Sequence, residues 1–402
     1  MSFHPFSAVE QAPPDPILGL TEAFRADSNP RKINLTSGVY MDETGTNPVL
    51  KSVKQAERMK LEEETTKNYL GIGGEVSFGA IVQSLIFGSE HPAVKEGRAA
   101  TIHAPGGTGA LRVGAEFFHG TFPGRAVWVS DPTWPNHHGV FRSAGMEVHT
   151  YPYYDADRQS LRFDALLEAL EKVPDNDVVL LHGCCHNPTG IDPTPEQWAR
   201  IVEVFQRRPI VPFLDFAYQG LAAGLEEDAF AVRAFADAGL DMLVSSSFSK
   251  NFGLYRERVG ALTLVTGDSG AAGRVLSSLK QTIRANYSNP PAHGGKVVEL
   301  VIGTTELATL WENEVAEIRD RIRRMRHLFV ETLKSLGVSR NFEFLLEQNG
   351  MFSFSGIEKK AVIRLREEFG IYIVENGRIN VAAMTTGNMD YLCRSIAEVL
   401  KD

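Results

Sequence analysis

The chain has 402 residues, 43% hydrophobic and 23% charged, with a net charge of −9. This balance is ordinary for a globular protein of two or three domains of roughly 150 residues each, and it argues against a nucleic-acid binder, which would carry a basic domain or stripe. No run approaches the roughly 18 apolar residues of a membrane span. No basic-then-apolar leader is visible between Met1 and Asp15, and three cysteines make no disulfide framework, so a cytoplasmic location is expected.

Pro13, Pro14 and the lack of periodicity make residues 1–14 an extended arm. Ordered structure is expected from Asp15-Pro16-Ile17-Leu18-Gly19-Leu20, with a short helix over residues 21–25. Residues 33–35 read as a strand ending near Gly38, where the missing side chain lets a ligand approach the backbone. Residues 53–64 and 78–87 read as helices, separated by a loop containing Gly73 and Gly74. From about residue 100 to 265 a strand–loop–helix unit recurs, with strands at 100–104, 127–130, 178–182, 210–214, 242–244 and 261–265. Residues 105–109 form the loop after the first strand and 110–118 the helix after that loop. Apolar strands alternating with helical segments predict an α/β fold whose mostly parallel sheet is covered by helices on both faces.

Residues 305–336 read as one long helix with apolar positions three or four apart, and its Arg319, Arg321, Arg323, Arg324 and Arg326 are expected to face solvent. Beyond it, strands at 351–354, 371–374 and 379–381 and helices at 361–369 and 389–400 predict a smaller α+β domain.

Open α/β sheets bind ligands at the carboxyl ends of their strands. Here those ends carry Gly107-Thr108, Trp134, Asn187, Asp215 with Tyr218, and Ser247 with Lys250. Gly106-Gly107-Thr108-Gly109 before a helix could hold a phosphate on backbone N–H groups, or be an ordinary tight turn. Trp134, between two prolines, is a stacking platform or a core side chain. Asp215 could pair with a protonated pyridine nitrogen or cap the next turn, and Asn187 and Tyr218 could bond a ring oxygen or merely the backbone. Lys250, beside the hydroxyls of residues 245–249 and Arg258 and partly dried by Phe248, Phe252 and Tyr255, is suited to form a Schiff base, though a surface lysine would look similar. The cluster His182-Gly183-Cys184-Cys185-His186 lacks the separated ligand pairs of a zinc site, so no metal is expected. Lysine, aspartate, stacking ring, phosphate loop and arginine together are the set that pyridoxal phosphate requires.

These residues sit in stretches that resemble the aspartate and aromatic amino acid aminotransferases of the fold-type I pyridoxal-phosphate enzymes. The motifs are Thr65-Thr66-Lys67-Asn68-Tyr69-Leu70-Gly71, Pro105-Gly106-Gly107-Thr108-Gly109-Ala110-Leu111, His186-Asn187-Pro188-Thr189-Gly190, Ser249-Lys250-Asn251-Phe252-Gly253-Leu254-Tyr255, Tyr287-Ser288-Asn289-Pro290-Pro291 and Gly350-Met351-Phe352-Ser353-Phe354-Ser355-Gly356. The resemblance implies a large cofactor-binding domain at 48–317, a small domain made of 15–47 and 318–402, and an obligate homodimer. It implies that Lys250 is the Schiff-base lysine and proton carrier, and that Asp215 pairs with the ring nitrogen with His137 behind it. Trp134 would stack on the ring while Asn187 and Tyr218 bond its oxygen. Gly107, Thr108, Ser247, Arg258 and a neighbouring subunit's Tyr69 would hold the phosphate. Arg378 would grip the substrate α-carboxylate and the neighbour's Arg284 the distal one, with Gly38 close by.

Within that resemblance Val39, Asn68, Thr108 and Asn289 follow the aspartate pattern, Met41 and Asn47 depart from it, and the segment Phe87-Gly88-Ser89-Glu90-His91-Pro92 looks more like the aromatic branch. The expectation is therefore transfer from L-aspartate to 2-oxoglutarate, with appreciable activity on phenylalanine and tyrosine. A lyase or decarboxylase of the same fold would have no use for both Arg284 and Arg378, and a non-catalytic phosphate binder would have none for Lys250.

Overall fold

Alternation along the buried strands decides the architecture. The computed structural model describes residues 4–11 and 18–401, so the start expected at residues 15–17 lies outside the described residues. One sheet of seven strands contains β1 (Ala99–Pro105), β2 (Val127–Asp131), β3 (Val148–Pro152), β4 (Val178–His182), β5 (Val211–Phe216), β6 (Met242–Ser247) and β7 (Val259–Val265), ordered β1-β7-β6-β5-β4-β2-β3. Strands β2 to β6 pair in parallel, and β7 runs antiparallel to both of its neighbours. Successive side chains point to opposite faces. Ile102, Val129, Leu180, Phe213, Leu243 and Leu262 therefore join one buried cluster, while Leu181, Leu214, Val244 and Ala261 join another.

Helix α1 (Gly106–Thr121) follows β1 directly, so the loop expected at 105–109 is helical from Gly106 onward. It lies tight on the sheet at Gly114, where a Cβ would come 2.7 Å from Phe213 Cζ. The strand expected at 242–244 continues to Ser247, because small hydroxyl residues also fit between packed strands. The helix Pro195–Arg207 was not anticipated, yet Thr194 and Gln197 form a capping box with proline at its start. In the expected arm, Pro5–Ala8 form a 3-10 turn.

Helix α2 (Thr305–Ser335) is the expected long helix, but two of its arginines do not face solvent. Arg321 is buried, donating to Met384 O at 2.8 Å and pairing with Glu43 at 2.9 Å. Arg326 is buried too, donating to Gly350 O at 2.6 Å and Ser353 Oγ at 3.3 Å. Both fall on the helix's apolar stripe, where a carbonyl of a segment packed there accepts from each, although Arg321 Nε and Nη1 have no partner among the described residues.

Two short ladders join distant parts of the chain. Ile33–Asn34 pairs in parallel with Ile371–Tyr372, and Phe352–Phe354 pairs antiparallel with Arg378–Asn380. Together they bring the 36–38 backbone beside Arg378. Among the described residues no helix is long and apolar enough to cross a membrane.

Candidate active site

Strand register assembles the site. In the parallel ladders Asp215 lies opposite His182 on β4 and Ser245 on β6, and across β7 Gly260 lies opposite both Ser247 and Ala104. The carboxyl ends of β1, β4, β5 and β6 therefore open on one cavity of about 220 Å³, lined by Gly38, Gly107, Thr108, Trp134, Asn187, Asp215, Tyr218, Ser247, Lys250 and Arg258. Leu111, Ala217, Ser249 and Tyr255 complete its wall.

Asp215 is part of β5 itself rather than a cap on the next turn. His137 Nε2 bonds its Oδ2 at 3.1 Å, and His137 Nδ1 bonds Thr133 Oγ1 at 2.8 Å. Burial alone would raise the Asp215 carboxyl, but the His137 hydrogen bond and the charge of the facing Lys250 outweigh it and hold the carboxyl below its ordinary value. His182 sits behind, within 4.8 Å of both partners, and burial drives it down to about 3, so it is a neutral imidazole. Neither of its ring nitrogens has a partner among the described residues.

Lys250 Nζ lies 5.1 Å from the centre of the Tyr218 ring. Desolvation lowers the amine to about 8, with Asp215 opposing the shift and Arg258 adding to it. Of the aromatic residues expected to dry it, only Tyr255 reaches the cavity. Phe248 and Phe252 pack on one another in the core, where Phe252 stacks on Trp311 at 4.5 Å. Asn187 Nδ2 lies 3.5 Å from Tyr218 Oη, while Asn187 Oδ1 is buried with no partner among the described residues.

The anion end is a cradle closed to side chains. Gly106 has φ +76°, and a Cβ there would collide with the Arg258 guanidinium. A Cβ on Gly107 would lie 3.1 Å from Ser247 Cβ. Arg258 Nη1 is held by Ser249 Oγ at 3.2 Å and Tyr255 O at 2.9 Å, which leaves Nη2 over the amino end of α1. That end offers backbone N–H groups and a positive helix dipole.

Arg378 stands beside the cavity, with 3% of its surface exposed. It donates to Thr36 O at 2.6 Å and lies 4.3 Å from the centre of the Phe352 ring, and its Nε has no partner among the described residues. Desolvation lowers it to about 10, still fully cationic near neutral pH.

Two expected residues are elsewhere. Tyr69 is 92% exposed, and Arg284 lies on the surface, bonded to Ser288 Oγ at 2.5 Å. A separate groove of about 620 Å³ beside Tyr69, lined by Lys60, Asn68, His103 and Lys296 among others, contains none of the strand-end groups. Sequence reading missed Thr133 and the Phe352 stack on Arg378. The four-residue spacing of Thr133 and His137 was the available signal for the first, and nothing local marked the second.

These features fit a flat phosphorylated pyridine: a cradle too narrow for any Cβ, an unpartnered amide oxygen and guanidine nitrogen, a carboxylate with lowered affinity for protons, and an amine with a depressed pKa. A family model described as aminotransferase class I and II matches residues 30–396. The chain is 56% identical over 395 residues to the aspartate aminotransferase of Escherichia coli, covering 98% of this chain and all of that protein. It is 47% identical over 396 residues to the aromatic-amino-acid aminotransferase of the same organism, covering 98% of this chain and 100% of the relative. The crystal structure of an aromatic-amino-acid aminotransferase from Burkholderia pseudomallei, covalently bound to pyridoxal phosphate, superimposes with a TM-score of 0.97 at 52% identity, covering 99% of this chain and 100% of that one.

Proposed function

Since the chain belongs to the class I and II aminotransferases, we propose that it transfers the amino group of L-aspartate to 2-oxoglutarate with pyridoxal 5'-phosphate as cofactor, and that it also accepts L-phenylalanine and L-tyrosine. The observation that carries this reading is the junction of Asp215, held by His137, with the depressed amine of Lys250 in one cavity beside a second, buried cation, Arg378.

Pyridoxal phosphate, when bound, supplies an aldehyde carbon for an amine and a cationic ring that withdraws electrons from the substrate Cα. Arg258, Ser247, Thr108 and the Gly107 backbone would hold its phosphate, and Trp134 would cover its ring. Asp215 keeps a proton at the pyridine nitrogen, since a carboxylate below its ordinary pKa favours the ion pair. Asn187 and Tyr218 orient the ring oxygen. Lys250 Nζ would carry the proton between the substrate Cα and the cofactor's aldehyde carbon, a task that suits an amine whose pKa desolvation lowers to about 8. Arg378 binds the α-carboxylate in the planar, two-pronged manner of a guanidinium.

Tyr69 and Arg284 complete the site from a second copy of this chain in this reading. Their exposure, off their own cavity, supports a homodimer. We also propose the division into a small domain at 15–47 and 318–402 and a large one at 48–317, which the ladder between Ile33–Asn34 and Ile371–Tyr372 supports, and the free, buried Cys184, Cys185 and Cys393 are compatible with the cytoplasm, where we place the enzyme. For preference among substrates, Met41 and Asn47 are the positions to examine. Met41 N–H donates to Ala382 O at 2.9 Å and Asn47 Nδ2 to Tyr40 O at 3.0 Å, so both belong to the segment that runs on from Gly38.

The test is stopped-flow absorbance of the cofactor-loaded protein mixed with L-aspartate or L-phenylalanine. Faster loss of the visible band with aspartate supports the main reading. Faster loss with phenylalanine moves the enzyme to the aromatic branch, and protein that never turns yellow refutes the proposal.

A further inference from the structure

The loop carrying Asn187 and the strand carrying Phe352 are joined by one carboxylate that lines no cavity wall of the site. Asp192 accepts the backbone N–H of Cys185 at 2.9 Å, the N–H of His186 at 2.8 Å and Asn349 Nδ2 at 3.2 Å. Alongside, Asn349 N–H donates to Gly190 O at 2.6 Å, and Gly350 is so close that a Cβ there would lie 2.5 Å from Cys185 Cβ. Three N–H donors converge on this side chain, and only an ionised carboxyl, whose oxygens accept and never donate, satisfies all of them. An amide in its place would turn an NH₂ against an N–H. Burial pushes the carboxyl up to about 6 against those bonds, so near neutral pH the charge is present and held by its donors.

Each arm of this clasp ends at a different part of the site. One arm grips the two residues that precede Asn187, the cavity residue with the unpartnered amide oxygen. The other grips Asn349, three residues before Phe352, whose ring lies under Arg378 and whose Cζ would be 2.9 Å from a Cβ on Gly38. We propose that Asp192 is a positioning residue that sets Asn187, facing the cofactor oxygen, and Arg378, facing the substrate carboxylate, relative to one another. Substrate affinity and the titration of the bound cofactor then both depend on a group that touches neither ligand. This rests on the pyridoxal-phosphate aminotransferase reading above.

The experiment is a double-mutant cycle on the reconstituted holoenzyme with Asp192→Asn, Asn349→Ala and the double variant, each measured for kcat, for KM with L-aspartate, and for the pH midpoint of the visible cofactor band. Asn349→Ala cuts only the Phe352 arm and should raise KM about tenfold, the loss of one charge-assisted hydrogen bond, with kcat nearly unchanged and the midpoint in place. Asp192→Asn should raise KM at least as much and also move the midpoint, by about half a unit or more, because the ring-oxygen partner is no longer held. The double variant should show no further rise in KM. Wild-type KM and midpoint in both single variants, or KM effects that multiply in the double, would overturn the proposal. Should Asp192→Asn fail to fold, the KM of Asn349→Ala decides, an unchanged value refuting it. Wild-type protein that takes up no cofactor refutes the underlying reading instead.

Discussion

Gly106→Ala separates the energetics of the fold from those of the anion cradle. Gly106 sits at φ +76°, and its missing Cβ is the space into which the Arg258 guanidinium projects. An L-residue in that left-handed conformation costs roughly 1–2 kcal/mol, which should appear in the urea midpoint of the apo-protein. The new methyl must also displace Arg258 from its position over the amino end of α1, with loss of a charged hydrogen bond to phosphate of about 1.5–3 kcal/mol. That converts to roughly a 10- to 100-fold weaker Kd for pyridoxal phosphate. Gly124→Ala is the control, since Gly124 has φ +80° and nothing within 4 Å of its Cβ position. It should lose comparable stability and bind the cofactor as the wild type does. Equilibrium titration of apo-protein by absorbance measures both variants. A Kd for Gly106→Ala within about twofold of that of Gly124→Ala would show that the Arg258 cradle does not hold the phosphate, and the assignment of the anion end would fall.

Lys250 titrates at about 8, so capture of added pyridoxal phosphate by apo-protein should be slow at pH 6, rise as the ammonium loses its proton through pH 8, and level off above it; a rise centred near 10.5 would contradict the desolvated environment. Arg378→Lys keeps the charge but loses the planar fork, and should raise KM for every α-carboxylate substrate by roughly 10- to 100-fold, read from initial rates with both aspartate and phenylalanine. Lys250→Ala and Arg284→Ala should each be poorly active toward aspartate alone, yet regain about a quarter of wild-type activity when unfolded together and refolded, because half the dimers are mixed and one of their two sites is intact. No regain would place Arg284 outside the partner's site. Arg326→Ala leaves the Gly350 carbonyl and Ser353 hydroxyl buried without their donor, and should cost about 1–3 kcal/mol in urea unfolding.

The chemistry-bearing strand ends were legible because a buried parallel strand is an apolar run, and the first polar residues after it must stand at the sheet's edge. Val178–His182 and Val211–Phe216 show this directly, and they delivered Asn187 and Asp215 to the cavity. The start of α1 was not legible. Gly106 and Gly107 are poor helix formers, and what calls for glycine there is distant in the chain: a Cβ on Gly106 would meet the Arg258 guanidinium and one on Gly107 would crowd Ser247. The burial of Arg321 and Arg326 was written in their spacing, since Arg321 follows Ile318 by three and Arg326 follows Ile322 by four. A charged residue type argued the other way, and the carbonyls that accept from it come from residues 350 and 384.

By itself the sequence determined the residue types of the site and the strands that carry them, because periodicity and the cost of burying a polar group act locally. It held no local signal for the antiparallel β7 that sets Gly106 against Arg258, for the Phe352 ring under Arg378, or for Asp192 reaching from the Asn187 loop to Asn349. Each of those is a contact between segments far apart in the chain. Strand register and helix packing decide such contacts once the whole chain has closed, and no short stretch encodes them.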